Sequence, residues 1–315
     1  MNVMVTAIGS MASVAVIDSI RERWQTATVI GTDIYPEKWL AQSQNTDKFF
    51  QVPRADHPDY IRIMSEICGK HHIDWLIPLI DPEVDILALN RETFEKEGTI
   101  ICISGTESIE KCRNKLTLYQ TFKDDGNVNV IPTYTRLEIA EKFHGYPLII
   151  KPRKGRSSEG LQILEKRNGA GKIAFQNGTS IIQPYYDGEI FTVDIVRDFF
   201  GNCVSIPRKE YIRNKIGAGL TVEITNNKTL EKISATVTEK LNIYGAVNIE
   251  FLCFDGSYYL LDVNPRFSAG VSFTIRSGFN IVKNHMLVMM GNELEPRPEI
   301  VEGIYMKIYT DVVKN

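Results

Sequence analysis

The sequence lacks a charge excess. Its 36 Lys and Arg against 39 Asp and Glu leave a formal net charge of −3. No overall basic field therefore exists to draw nucleic acid or an anionic membrane, though local patches stay open, and neither is the expected partner. Cysteine is sparse, at positions 68, 102, 112, 203 and 253, with no C-x-x-C spacing. That usage reads as reduced thiols in a cytoplasmic protein rather than a disulfide frame or a zinc site. No uncharged apolar run approaches the roughly 18 residues of a membrane span. The opening MNVMVTAIGSMASVAVIDSI has no basic stretch before it and continues into SIRERW, so a buried strand and helix explain it better than a leader. Internal repeats and low-complexity tracts are missing, as are the dinucleotide G-x-G-x-x-G and the Walker loop. The first turn reads IGSMAS, and although Gly9 follows one strand and Asp33 ends the next, the glycines for close pyrophosphate approach are not there.

What is present is 315 residues at 43% hydrophobic content, room for two or three packed units. Residues 1–106 alternate short β-rich runs (VMVTAI, ATVIGTDI, DWLIPLI, TIICIS) with helical stretches near 11–24, 58–71 and 83–96. That is the pattern of a parallel sheet covered by helices. A polar, helix-prone segment at 107–126 leads out of this unit. A second region, 127–187, holds the strands PLIIKP, LQILE and SIIQPYY around the loop KGRSSEG. A third, 188–315, contains EIFTVDIV, GNCVSIP, a helix near 229–241, and GAVNIEFLCF and SYYLLDVNP joined by Asp255-Gly256. Asp-Gly between two such runs predicts a hairpin.

Alternation at LLDVNPRFSAG puts Asp262, Asn264 and Arg266 on one face of the second hairpin strand, with Leu261 and Val263 on the other. If Glu250 of the partner strand faces them, two carboxylates and an amide oxygen meet, hard ligands suited to Mg²⁺. A structural ion pair of Arg266 with those acids is the plainer alternative. KPRKGRSSEG follows a strand, with Lys151 at its end and small residues that can form an anion-binding nest, or simply an exposed turn. IIQPYYDGE offers Pro184, Tyr185 and Tyr186 as a platform for a purine with Glu189 in reach of a ribose, or an aromatic interdomain hinge.

Together these segments resemble the ATP-grasp enzymes, closest to the small proteins that resemble half of a carbamoyl phosphate synthetase large chain. The resemblance rests on IPLIDPEVDIL at 77–87, Asn114-Lys115, PLIIKP with GRSSEG, IIQPYYDGEIFTVDIV, NIEF at 248–251 and DVNPRFSAG at 262–270. It implies an α/β and α+β protein, a Rossmann-like preATP-grasp domain followed by two subdomains that grip ATP. By it, Lys115 and Lys151 contact the α and β phosphates, and residues 154–160, with Gly155, Ser157 and Ser158, form the lid. Ser157 and Glu159 replace a glycine and a lysine of the family pattern. Adenine lies against Gln183 to Tyr186, with Glu189 near the ribose. Glu250, Asp262 and Asn264 hold Mg²⁺, two ions by family pattern with Mn²⁺ as an alternative, and Arg266 clamps the transferred phosphoryl group. Asp262 stands where many relatives have glutamate.

The implied chemistry joins a small carboxylate to an amine through an acyl phosphate, with ADP and phosphate as products. Arg208, Arg213, Ser268 and Gly270 are substrate candidates, the arginines alternatively forming a solvated basic strand. Asp81 and Glu83 follow a strand of the first unit and can accept a substrate amine, or serve as an Asp-Pro-Glu helix start. Carbamoyl-phosphate-type chemistry, a non-catalytic nucleotide-binding relative and a dehydrogenase are the competing readings. Dimers are common among relatives, so a homodimer is admitted, although no segment of the sequence argues for one.

Overall fold

The computed structural model describes residues 1–155, 159–166 and 178–313. Its first unit is a parallel five-stranded sheet. In chain order it comprises β1 (Asn2–Val5), α1 (Ser13–Arg23), β2 (Thr28–Asp33), β3 (Lys48–Gln51), α2 (Tyr60–Lys70), β4 (Trp75–Ile77), α3 (Asp81–Leu89), α4 (Arg91–Lys96) and β5 (Ile100–Ile101). The strand order β3-β2-β1-β4-β5 changes direction at β1, so the ends of β1 and β4 open the crevice where such sheets place ligands. Two details depart from the sequence expectation. KFFQ forms β3 at the sheet edge, too short to signal itself, and the helix expected over 83–96 is two helices broken at Asn90.

Helix α2 shows why the layers hold: Tyr60, Met64 and Cys68, one stripe at i, i+4 and i+8, are all buried. On the other side of the sheet, Val16, Ile17 and Ile20 of α1 enter a core that also contains Val282 and Met286 from later in the chain. The first unit thus shares a hydrophobic core with the C-terminal region.

The segment expected as a linking helix at 107–126 is again two helices, α5 (Thr106–Arg113) and α6 (Lys115–Phe122). Asn114 between them is extended, and its side chain accepts from the amides of Leu116 and Thr117. This N-cap fixes Lys115 as the first helical residue. Next come β6 (Asn129–Val130), α7 (Leu137–His144), β7 (Leu148–Pro152), β8 (Gln162–Leu164) and β9 (Ser180–Pro184). Strands β8-β7-β9 make a small antiparallel sheet, but β6 pairs in parallel with a later strand, so residues 129–130 belong to the large sheet although the sequence grouped them with the small one.

The large sheet follows: β10 (Glu189–Arg197), β11 (Cys203–Arg213), β12 (Gly219–Ile224), α8 (Lys228–Lys240), β13 (Gly245–Phe254), β14 (Ser257–Asn264), α9 (Val271–Arg276), α10 (Ile281–Met289) and β15 (Gly303–Met306), in the order β15-β12-β11-β10-β13-β14-β6. The hairpin β13–β14 turns at Asp255-Gly256, both at positive φ, as an Asp-Gly two-residue turn requires. No helix among the described residues is long and apolar enough to cross a membrane.

Candidate active site

A cleft of about 750 Å³ is lined from every part of the chain: Gly9 to Ala12 and Leu79 to Pro82 of the first unit, Lys115, the small sheet, and the inner face of the large one. Its floor is the hairpin. Glu250 lies opposite Asp262 and Asn248 opposite Asn264, so the expected pairing of carboxylates is the observed register. The alternation of β14 is broken at one point: Phe251 pairs with Leu260, leaving Leu261 as an extra residue. That bulge turns Leu261 into the cleft, whereas strict period two directs it to the opposite face.

The donor set can be oriented from its hydrogen bonds. The Asn248 side-chain amide donates to the Arg266 carbonyl at 3.2 Å, which can only accept. Its oxygen therefore receives the Asn264 amide, also at 3.2 Å, and Asn264 Oδ1 has no partner among the described residues. With Glu250 and Asp262 this gives three hard oxygen donors on one strand pair, a set that fits Mg²⁺. Among the described residues no group of three or more His, Cys, Asp or Glu is placed for a metal; the third donor here is an amide. Each acid has a cation at hand: Arg213 Nη2 bonds Glu250 at 3.0 Å and Lys115 Nζ bonds Asp262 at 3.2 Å. Burial, and Asp262 nearby, push the Glu250 carboxyl up, with Arg213 opposing them.

Lys115 also donates to the Gly155 carbonyl at 3.1 Å, which ties α6 to the loop after β7. Lys151 lines the cleft, and burial with the neighbouring Lys115 charge pushes its ammonium down to about 8. Ser157 and Ser158 lie outside the described residues. At the other end, Gln183, Pro184, Tyr185 and Tyr186 all line the cleft, Gln183 buried and donating to Thr133 at 2.8 Å. The face of Tyr186 is stacked on Phe254, with centroids 4.5 Å apart. Its ring is therefore part of the wall rather than an open platform. Glu189 departs from expectation: it does not line the cleft, where Ile190 and Thr192 do, and its carboxylate bonds Lys209 at 2.5 Å. Ile190 and Thr192 take the inward positions, which by period two leaves Glu189 facing out.

The substrate candidates separate as well. Asp81 is not a helix cap, since Ile80 occupies that position and no side chain caps α3. Its carboxylate instead receives Arg266 at 2.5 and 2.9 Å and Arg113 at 2.9 Å. Burial opposes its ionisation, yet the two guanidinium groups hold the carboxyl below the usual range. Glu83 is corrected more sharply. It is buried inside the first unit, accepts from the Thr6 hydroxyl, and lies outside the cleft, so it cannot meet a substrate. Burial raises its carboxyl to about 7.

Arg208 is no solvated base: it is 2% exposed, bonded to Asp194 at 2.7 Å, Glu210 at 3.2 Å and Ser268 at 3.2 Å. Gly270 lies against it, where a Cβ would come within 2.9 Å of the guanidinium. Arg213 reaches the cleft because β11 shifts register between Glu210 and Ile212 and again before Arg213. Sequence reading gave no role to Asn248, though it shares the face of Glu250, or to Glu210, both of which line the cleft, nor to Arg113, which pairs with Asp81. Alternation was an available signal for Asn248 and Glu210, each two positions from a chosen residue.

Known proteins agree with this architecture. A PylC-like N-terminal domain model matches residues 3–102 and an ATP-grasp domain model matches residues 112–270, half of the chain. The large chain of carbamoyl phosphate synthase from Caldanaerobacter subterraneus is 33% identical over 175 residues, covering 50% of this chain and 16% of that protein. The C-terminal section of the Methanocaldococcus jannaschii large chain is 22% identical over 315 residues, 90% of this chain and 48% of that one. The chain thus spans less than half the length of these relatives. Among solved structures, Campylobacter jejuni biotin carboxylase superposes with a TM-score of 0.79 at 19% identity, covering 96% of this chain and 74% of that one. Staphylococcus aureus N5-carboxyaminoimidazole synthetase complexed with ADP gives 0.77 at 16%, with 98% and 82% covered. The protein belongs to the ATP-grasp domain family.

Proposed function

We propose that the protein joins a small-molecule carboxylate to an amine, forming an amide or peptide bond and releasing ADP and phosphate. The observation that carries this reading is the facing of Glu250 and Asp262 across β13–β14, with Lys115, Lys151 and Arg266 on the walls of the same cleft. In the first step a substrate carboxylate oxygen attacks the γ-phosphorus of ATP, the bond to the β-phosphate oxygen breaks, and ADP leaves. In the second, the amine nitrogen attacks the acyl carbon, phosphate departs with the C–O bonding pair, and the nitrogen loses its proton. Two negatively charged partners must meet in the first step, so the residues' work is positioning and charge neutralisation.

Lys115 and Lys151 supply cationic charge for the phosphates. Glu250, Asp262 and Asn264 would hold Mg²⁺, which screens the triphosphate; two ions, or Mn²⁺, are the finer form of this assignment. Arg266 spends Nε and one Nη2 hydrogen on Asp81 and an Nη1 hydrogen on the Phe267 carbonyl. One N–H on each terminal nitrogen is left for the transferred phosphoryl group. Pro184, Tyr185 and Tyr186 offer backbone groups for adenine, and Leu261 the apolar surface beneath it.

The test is an ADP-release screen with Mg-ATP over paired carboxylates and amines, followed by product mass. Arg266→Ala is expected to lower turnover about a hundredfold, since one charge contact in such a site contributes on the order of 2.7–4 kcal/mol, while calorimetric binding of MgADP is retained. Unchanged turnover in this variant contradicts the assigned role. A homodimer is compatible with this reading and is read out by sedimentation.

A further inference from the structure

We propose that Glu210 receives the amine substrate: its Oε2 accepts a hydrogen bond from the substrate nitrogen at the end of the cleft formed by β11 and β12. This rests on the ligase reading above and adds the site of the second substrate.

Alternation along β11 puts Arg208 and Glu210 on the cleft face, and the register shifts after Glu210 return Arg213 to that face. The Glu210 side chain is only 2% exposed. Oε1 accepts from Arg208 Nε at 3.2 Å, but Oε2 is buried with no hydrogen-bond partner among the described residues. A buried carboxylate oxygen without a donor is costly, and a ligand that brings an N–H removes that cost. Room for this oxygen is built into the neighbouring strand. Gly219 also lines the cleft, and a Cβ there would fall 2.0 Å from Oε2. Its φ does not lie in the left-handed region, so space rather than backbone conformation explains the glycine.

An acceptor without a partner calls for a donor, and an amine nitrogen supplies one. Arg208 is shared between Asp194 at 2.7 Å and Glu210, so one guanidinium faces two carboxylates. Lys307 approaches from behind, but its Nζ donates to the Ala269 carbonyl at 2.6 Å. A divalent ion is disfavoured by the adjacent guanidinium groups of Arg208 and Arg213. Arg213, three residues along, bonds Glu250, which places the nitrogen site next to the paired carboxylates. Met11, bonded through its sulfur to Asn214 at 3.7 Å, and Ile216 line the mouth beside it with apolar surface. The class of substrate that fits is an amine carried on an aliphatic skeleton, including amino acids.

The experiment compares wild-type protein with Glu210→Gln, which keeps an acceptor for Arg208. The probes are n-butylamine and a panel of amino acids as second substrates. The expected result is a rise of about tenfold or more in the amine KM. The KM for ATP and Mg²⁺ stays near wild type, and hydroxamate formed by the wild type from hydroxylamine reports the acyl phosphate independently of the amine substrate. Gly219→Ala, which crowds Oε2, gives the same pattern. An unchanged amine KM in folded Glu210→Gln overturns this proposal alone, and so does a shift in Mg²⁺ dependence in its place. No carboxylate-dependent ADP or hydroxamate from the wild type overturns the ligase reading, and this proposal with it.

Discussion

Lys151 shows how far a residue's chemistry depends on what surrounds it. Partial burial in the cleft and the neighbouring Lys115 charge bring its ammonium's deprotonation down to about 8. Only the charged form attracts a polyphosphate. The dissociation constant of MgADP is therefore expected to be flat below pH 8 and to rise about tenfold per unit above it, until the higher bound-state value is reached. Isothermal titration from pH 7 to 9.5 reads this out, and Lys151→Ala should abolish the rise. At this scale the sequence was legible where one residue type in a known place sufficed. Lys115, Lys151, Glu250, Asp262 and Asn264 all line the one cleft. It was not legible for Glu189 and Glu83, whose side chains point away because strand parity and helix rotation, which a motif does not encode, decide direction.

The hairpin and the helix opposite it carry the next level. Asp-Gly at 255–256 announced the pairing of β13 with β14, and the observed register sets Glu250 against Asp262. What alternation could not announce was the bulge at Leu261, because an extra residue leaves no compositional trace when both neighbours are apolar. The reach of α3 was also hidden: Asp81 begins this helix yet its carboxylate joins Arg266 after β14 and Arg113 at the end of α5. Sequence separation of 185 residues puts that pairing beyond local pattern. Asp81→Asn leaves two largely buried guanidinium groups short of their counter-charge. Loss of one partner from such a pair typically costs about 3 kcal/mol or more. We expect a lower melting temperature and, because Arg266 loses its orienting partner, a fall in turnover with the KM for ATP little changed. Wild-type turnover at wild-type stability would remove Asp81 from this role.

For the molecule as a whole, the core that α1 shares with α10 joins the first unit to the large sheet. The fold class was readable in outline because alternating β and α runs, then a shift to antiparallel strands with turn signals, are long-range features of composition. Unit boundaries were less so, since β6 crosses from its sequence neighbours into the large sheet. Stability of the whole should carry one clear pH signature. Glu83 titrates in the folded protein at about 7, well above its ordinary value of 4.5. The folded state then binds the extra proton between those values, so the stability present below pH 4.5 is lost as pH rises to 7, by about 3 kcal/mol from this group. Glu83→Gln should flatten that window and melt higher than wild type at pH 8, measured by differential scanning calorimetry.

The most direct measurement mixes the full chain with Mg-ATP and paired carboxylates and amines, and follows ADP together with the mass of any new product. ADP formed in step with a species equal in mass to acid plus amine less water is the predicted result. ADP with no condensed product, or none with any acid, would contradict it.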